Sequence, residues 1–172
     1  MGTIIITGNK GNGGGGLPPQ QKIDVAAEGI HLSYSTFEEV PSYFDFSAVT
    51  NAQYMFAGCS SVTSIDSFDF SNVKYTNNMF YGCTNLTTIG NIIFLNTSLS
   101  LADSPNLDQD TLIRFGGISN EAGRPGVAAL KTLGLPAATL TFNTAAQAFL
   151  ESEGIIAKLT DENWTVNFAD SM

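Results

Sequence analysis

The sequence predicts an α/β fold in which a short solenoid of about two to three 24-residue coils carries an α+β C-terminal cap and an extended N-terminal arm. Three observations lead there. Residues 44–67 (FDFSAVTNAQYMFAGCSSVTSIDS) and 68–91 (FDFSNVKYTNNMFYGCTNLTTIGN) share eleven of 24 positions, among them Phe44/Phe68, Asp45/Asp69, Met55/Met79, Phe56/Phe80, Cys59/Cys83 and Ile65/Ile89. From Ser104 onward the repeat gives way to a mixture of helical and strand patterns. At the other end, a β-branched segment is followed by a run rich in glycine.

A period in the twenties that holds Leu, Ile, Val, Phe and Cys in place is the signature of a leucine-rich-repeat coil. One such coil cannot bury its apolar face alone, so like coils must stack. The chain then divides into an arm (1–21), an N-terminal cap (22–43), the repeats (44–103) and the C-terminal cap (104–172).

In the arm, Thr3, Ile4, Ile5, Ile6 and Thr7 read as a strand by propensity. Gly8 to Gly16 is a flexible tether, and Leu17-Pro18-Pro19 stiffens it. Such a strand has no neighbour of its own; it frays or is donated to a sheet in another chain. Gly11 to Gly16 formally fits G-x-G-x-x-G, but the helix that would hold phosphates is replaced by Leu17-Pro18-Pro19, so no nucleotide site is expected. In the N-terminal cap, Ser35 to Val40 aligns with Ser60 to Ile65, as a degenerate first repeat would.

Within each repeat the expected core is Met55, Phe56, Cys59, Val62 and Ile65, then Met79, Phe80, Cys83, Leu86 and Ile89. The apolar spacing predicts a short strand over Cys83–Ile89 and a helical turn from Asn77 to Tyr81, ended by Gly82. After Asn91 the pattern fades, leaving strands at Ile92–Phe94 and Leu99–Leu101 and a third coil shortened or lost. In the C-terminal cap, Asp108 should cap a helix over Gln109–Phe115, and Pro125-Gly126 should start a second over Val127–Leu133. Strands are expected at Thr139–Phe142 and Trp164–Phe168, with a largely helical stretch, Thr144–Leu159, between them.

Sixteen acidic residues against 7 basic ones give a net charge of −9. That balance disfavours nucleic acid and anionic membrane surfaces, both of which call for basic patches. No apolar run is long enough to span a bilayer, and the first eleven residues lack the basic segment and cleavage site of a secretory signal.

Cys59 and Cys83 stand one period apart, where stacked side chains point the same way; they are expected as free, buried thiols. His31 is the sole histidine, so neither a Cys-His nucleophile pair nor a zinc site is expected. Asp45 and Asp69 could pair as an acid and base or hold calcium, yet they recur because the repeat recurs, which makes them turn residues. The expectation is no enzyme, no cofactor and no metal. A glycan-active enzyme remains the remote alternative, since it needs two carboxylates roughly 5–10 Å apart in a cleft.

The repeats resemble the BspA-like leucine-rich repeats. Met55-Phe56-Ala57-Gly58-Cys59 with Val62 and Ile65, and Met79-Phe80-Tyr81-Gly82-Cys83 with Leu86 and Ile89, carry the likeness. Phe46-Ser47-Ala48-Val49 and Phe70-Ser71-Asn72-Val73 add to it, and the tail is loosely similar to the closing cap of such proteins. The resemblance implies a surface adhesin. A member with a strand-and-glycine tether and no export signal looks like a bacteriophage virion protein, a head fibre or capsid-decoration protein used in host attachment. Implied partners are other virion proteins, met through the arm at Thr3–Thr7, and a host-surface glycan or protein. A homo-oligomer is expected, a trimer being one arrangement that would pair the arms. The virion is the expected location, with a bacterial cell-surface adhesin or protein-interaction module as the alternative.

Overall fold

The computed structural model describes residues 23–24, 26, 32–40 and 42–170. The strand expected at Thr3–Thr7, the glycine run behind it and His31 lie outside the described residues. The described chain forms small sheets and three short helices, and none of the sheets closes into a barrel.

Strand β1 (Ile23–Asp24) pairs with β3 (Phe44–Asp45). A three-stranded sheet has the order β2 (Glu39–Val40), β4 (Ser64–Asp69), β5 (Thr88–Ile93). A second has β9 (Ala138–Phe142) between β10 (Trp164–Phe168) and β6 (Leu99–Leu101), and β7 (Ile118–Ser119) pairs with β8 (Val127–Ala128). All these pairings are parallel. Parallel neighbours cannot be joined by a tight hairpin, so the chain must travel round between them. A repeat of 24 residues provides that path.

The repeat length is also the pairing register. Ser64 faces Thr88, Ile65 faces Ile89 and Ser67 faces Asn91, each a step of 24. On the other edge Val40 faces Ile65, which places Ser35–Val40 as a preceding, degenerate repeat. The same ladder continues through the turns. The N–H groups of Ala52, Tyr54, Phe56 and Gly58 donate to the carbonyls of Tyr75, Asn77, Met79 and Tyr81 at 2.7–3.0 Å.

All ten expected core residues are inside, none more than 4% exposed. The inward positions stack on their own kind: the Phe56 and Phe80 rings lie 5.4 Å apart and nearly coplanar in tilt (5°), and Phe46 stacks on Phe68 at 4.7 Å. Offset ring pairs of this sort add about 1 kcal/mol beyond their buried area. Two glycine positions allow the close approach. Gly58 and Gly82 hold φ near +71° and +72°, where a side chain would be strained. A Cβ on Gly90 would stand 2.3 Å from the Asp66 carbonyl of the neighbouring repeat.

Three expectations need correction. The strand in each repeat runs from Ser64 to Asp69 and from Thr88 to Ile93, several residues later than Cys83–Ile89. Apolar residues three apart (Cys83, Leu86, Ile89) mark tight turns, seen in the Cys83 N–H bonded to Phe80 and the Leu86 N–H to Cys83. Asn77–Tyr81 is not a helical turn but a run of turns in which Asn78 has a φ of +53°. Val127–Leu133 is not a helix. The Val127 N–H donates to Gly117 and the Ala128 N–H to Leu95, so pairing with two flanking segments makes it β8 and leaves only turns up to Gly134.

The C-terminal elements finish the stack. Helix α1 (Gln109–Phe115) begins at Asp108, whose carboxylate accepts the Thr111 N–H at 2.7 Å. It lies along the first half of β5: the Asp108 N–H donates to Thr87, the Ile89 N–H to the Thr111 hydroxyl, and the Arg114 guanidinium to the Ile89 carbonyl. Residues 124–127 cover the second half, with Phe94 N–H donating to Arg124 and Gly126 N–H to Ile92. From β9 the chain crosses to β10 through a 3-10 turn (Thr144–Ala146), α2 (Gln147–Ser152) and α3 (Ile155–Asp161). Gly154, at φ +66°, breaks what the sequence reads as one helix. Trp164 is buried with its indole N–H donating to the Ala128 carbonyl at 2.9 Å.

Two predictions follow from the register and the cap. Ile65→Asp places an unpaired charge in the dry interior and should remove about 4 kcal/mol or more. Ile65→Val should remove about 1 kcal/mol, and urea unfolding separates the two. Partial burial raises the Asp108 pKa, but hydrogen bonds from the Thr88 and Thr111 side chains and the Thr111 N–H, together with Arg114, outweigh it and hold the carboxyl below its usual range. A depressed folded pKa contributes stability that is present above the unfolded pKa and lost as pH falls through the folded one. Asp108→Ala should therefore cost about 1 kcal/mol at neutral pH, and its deficit against the parent should shrink in urea titrations repeated at progressively acid pH.

Candidate functional site

The residues that repeat serve the interior, and the residues that differ between repeats reach the surface. Tyr54 stands where the next repeat has Asn78, Ala57 where it has Tyr81, Asn51 where it has Tyr75, and Thr50 where it has Lys74. Among large apolar side chains, Tyr34, Tyr54, Tyr75 and Tyr81 are between 51% and 70% exposed, whereas the phenylalanines of the repeats are buried. All four tyrosines sit on the turn segments joined by the ladder. Tyr34 N–H donates to Ala57, Tyr54 N–H to Asn77, Gly58 N–H to Tyr81, and Asn51 bridges to Tyr75. The Tyr34 ring lies over Gly58, the Gln53 amide donates to Asn77, and the turn face is otherwise uncharged.

A second surface is the open side of β2, β4 and β5. There a concavity of about 630 Å³ is bordered by Glu39, Ser42, Tyr43, Ser64, Asp66 and Thr88. A third lies where the second repeat meets the C-terminal sheet: two adjoining concavities of about 350 and 540 Å³ share Lys74, Thr97 and Ser98.

The expected chemistry residues fall as follows. Asp45 and Asp69 each accept the backbone N–H two residues on, from Ser47 at 2.9 Å and Ser71 at 2.8 Å. The same turn role in each repeat accounts for the recurrence of these carboxylates. Cys59 and Cys83 are free and fully buried. Each thiol donates to a carbonyl of the preceding repeat, Cys59 to Leu32 at 3.0 Å and Cys83 to Phe56 at 3.1 Å. Among the described residues no group of three or more His, Cys, Asp or Glu is placed to hold a metal ion. None of the described helices is long and apolar enough to cross a membrane.

A third repeat, obscured in the sequence, is legible in these contacts. Ser104 takes the place of the cysteine, its hydroxyl donating to the Cys83 carbonyl at 3.2 Å. Asn106 donates to Thr84 as Asn85 donates to Ser60. The Thr87 N–H reaches back 24 residues to Thr63, while the Asp108 N–H reaches back only 21, to Thr87. The third repeat is three residues short, and that loss of period is why its polar surface residues went unnoticed.

This arrangement, parallel segments stacked at a constant step with binding-competent side chains on the turns, defines a repeat protein whose functional variation lies on its outer faces. Residues 27–98 match the family model described as Mycoplasma protein of unknown function, DUF285. The match takes in the degenerate first repeat, both full repeats and the start of the short third one. No curated protein and no solved structure matches the chain.

Burial raises the pKa of both thiols, and at Cys83, where the neighbouring Cys59 adds to the effect, it reaches about 12. The thiolate is the reactive form. Both cysteines should therefore resist a disulfide reagent such as DTNB at neutral pH in the folded protein and react, two thiols per chain, once guanidinium is added.

Proposed function

We propose that the chain is a non-enzymatic adhesion and display protein: a short leucine-rich-repeat solenoid of BspA-like type carried on a phage virion as a fibre or capsid-decoration protein, attached through its N-terminal arm and binding a host surface. The observation that carries the binding role is the set of four exposed tyrosines on the turn segments of successive repeats. Tyrosine presents a broad, rigid contact area with a polar end at small entropic cost, which is why it concentrates at recognition surfaces. The carboxylates that might have suggested hydrolysis support a structural role instead, since each is engaged with a turn N–H. The family match favours a second reading of where the head is carried, because the matched family is described by Mycoplasma proteins, which points to a cell surface.

Both readings share a binding head and differ in attachment. Mass spectrometry of purified particles should find the protein, and a form lacking residues 1–16 should keep the thermal transition of the head yet be missing from the particles. A truncated form that enters particles normally would overturn attachment by the arm. Replacing Tyr54 and Tyr81 together by Ala should lower adsorption to host cells at least ten-fold with the fold intact.

A further inference from the structure

The shortened third repeat has a consequence at the surface. In the second repeat the segment Lys74–Tyr81 receives the ladder from Ala52–Gly58 on one side. On its other side a full third repeat would lie, but this one is three residues short between Ile93 and Asp103. The strands diverge as a result. The third repeat touches the second through the Thr76 hydroxyl, which donates to the Ser98 carbonyl, and through Thr97, whose hydroxyl donates to Lys74 at 3.4 Å. Ser98 in turn accepts the Thr139 N–H on its hydroxyl at 2.9 Å, tying the far wall to β9. The gap between these walls is the pair of adjoining concavities, a trench with Lys74 at its junction.

The lining is chemically one-sided. Thr76, Asn78, Ser98, Ser100 and Thr141 present hydroxyl and amide groups, the one apolar residue beside them in the smaller concavity, Leu99, is buried, and no carboxylate borders either concavity. In a chain of net charge −9 the single cation there is Lys74. Hydroxyl and amide side chains both donate and accept hydrogen bonds, which suits a ligand made of hydroxyls. A Lys ammonium is a compact point charge suited to a carboxylate. An acidic ligand is repelled by the rest of the molecule, so the one cation in a neutral polar trench is where it is held.

We propose that this trench binds an acidic oligosaccharide, the Lys74 ammonium taking a sugar carboxylate and the surrounding hydroxyl and amide groups the sugar hydroxyls. The proposal rests on the host-binding reading above and names the class of ligand.

The test is calorimetric titration of the full chain with 3′-sialyllactose and with an oligogalacturonate, set against lactose and poly-glutamate. A carboxylated sugar should bind, lactose at least ten-fold more weakly, with affinity falling as salt is raised. Lys74→Gln should weaken binding at least ten-fold at an unchanged melting temperature, and Lys74→Arg should restore most of it. Binding that survives Lys74→Gln, poly-glutamate binding as tight as the sugars, or no binding of either carboxylated sugar would each overturn the proposal. Whole-cell adsorption separates this from the broader reading. If the Tyr54/Tyr81 double variant loses adsorption while Lys74→Gln keeps it, the trench assignment fails and the adhesion reading stands. If the parent chain adsorbs to no host cell yet binds the sugars through Lys74, the trench stands and the adhesion reading fails.

Discussion

The interaction on which the rest depends is the backbone ladder between successive repeats. Each repeat donates its turn N–H groups to carbonyls 23 residues on and pairs its strand 24 residues on. An unpaired buried N–H or carbonyl costs about as much as a lost hydrogen bond, so a slip of one residue would unseat the whole row at once. The ladder therefore dictates that apolar residues recur at the same step. Phe56 on Phe80, Cys59 on Cys83 and Ile65 on Ile89 are consequences of it as much as causes.

A ladder of this kind has ends, and the chain closes the later one with side chains that stand in for a further repeat. Asp103 supplies a carboxylate to the Gly82 N–H at 2.6 Å, where Tyr81 supplies a carbonyl to Gly58 one repeat earlier. Thr111 and Arg114 do the same for the N–H and carbonyl of Ile89. Covering an exposed strand edge in this way removes a template for unwanted pairing. It also releases the chain from the 24-residue step, so that α1 and the β6–β9–β10 sheet can follow their own periods.

Interior and exterior thus carry separate demands. The eleven identical positions include the inward Phe, Met, Cys and Ile residues and the turn-forming Asp and Gly. The remaining positions are free to vary, and there the tyrosines and Lys74 occur. The separation explains how a fold so strictly determined inside can present different surfaces, with the proposed adhesion face on the turns and the proposed saccharide trench where the step is broken.

By itself the sequence determined the repeat length, its ten core residues, the Asp108-capped helix at Gln109–Phe115 and the strand at Trp164–Phe168, because each rests on local chemistry or on an unbroken period. It misplaced the repeat strands, since apolar residues three apart are shared by tight turns and other short elements and only the pairing partner separates them. It read Val127–Leu133 as a helix because nothing local announces that Leu95 and Gly117 will claim those N–H groups. The trench was invisible for the same reason. Lys74, Ser98 and Thr141 are far apart in the chain, and a deletion of three residues, which looks in sequence like a repeat fading out, becomes a binding surface only when the tertiary ladder holds the flanking repeats in place.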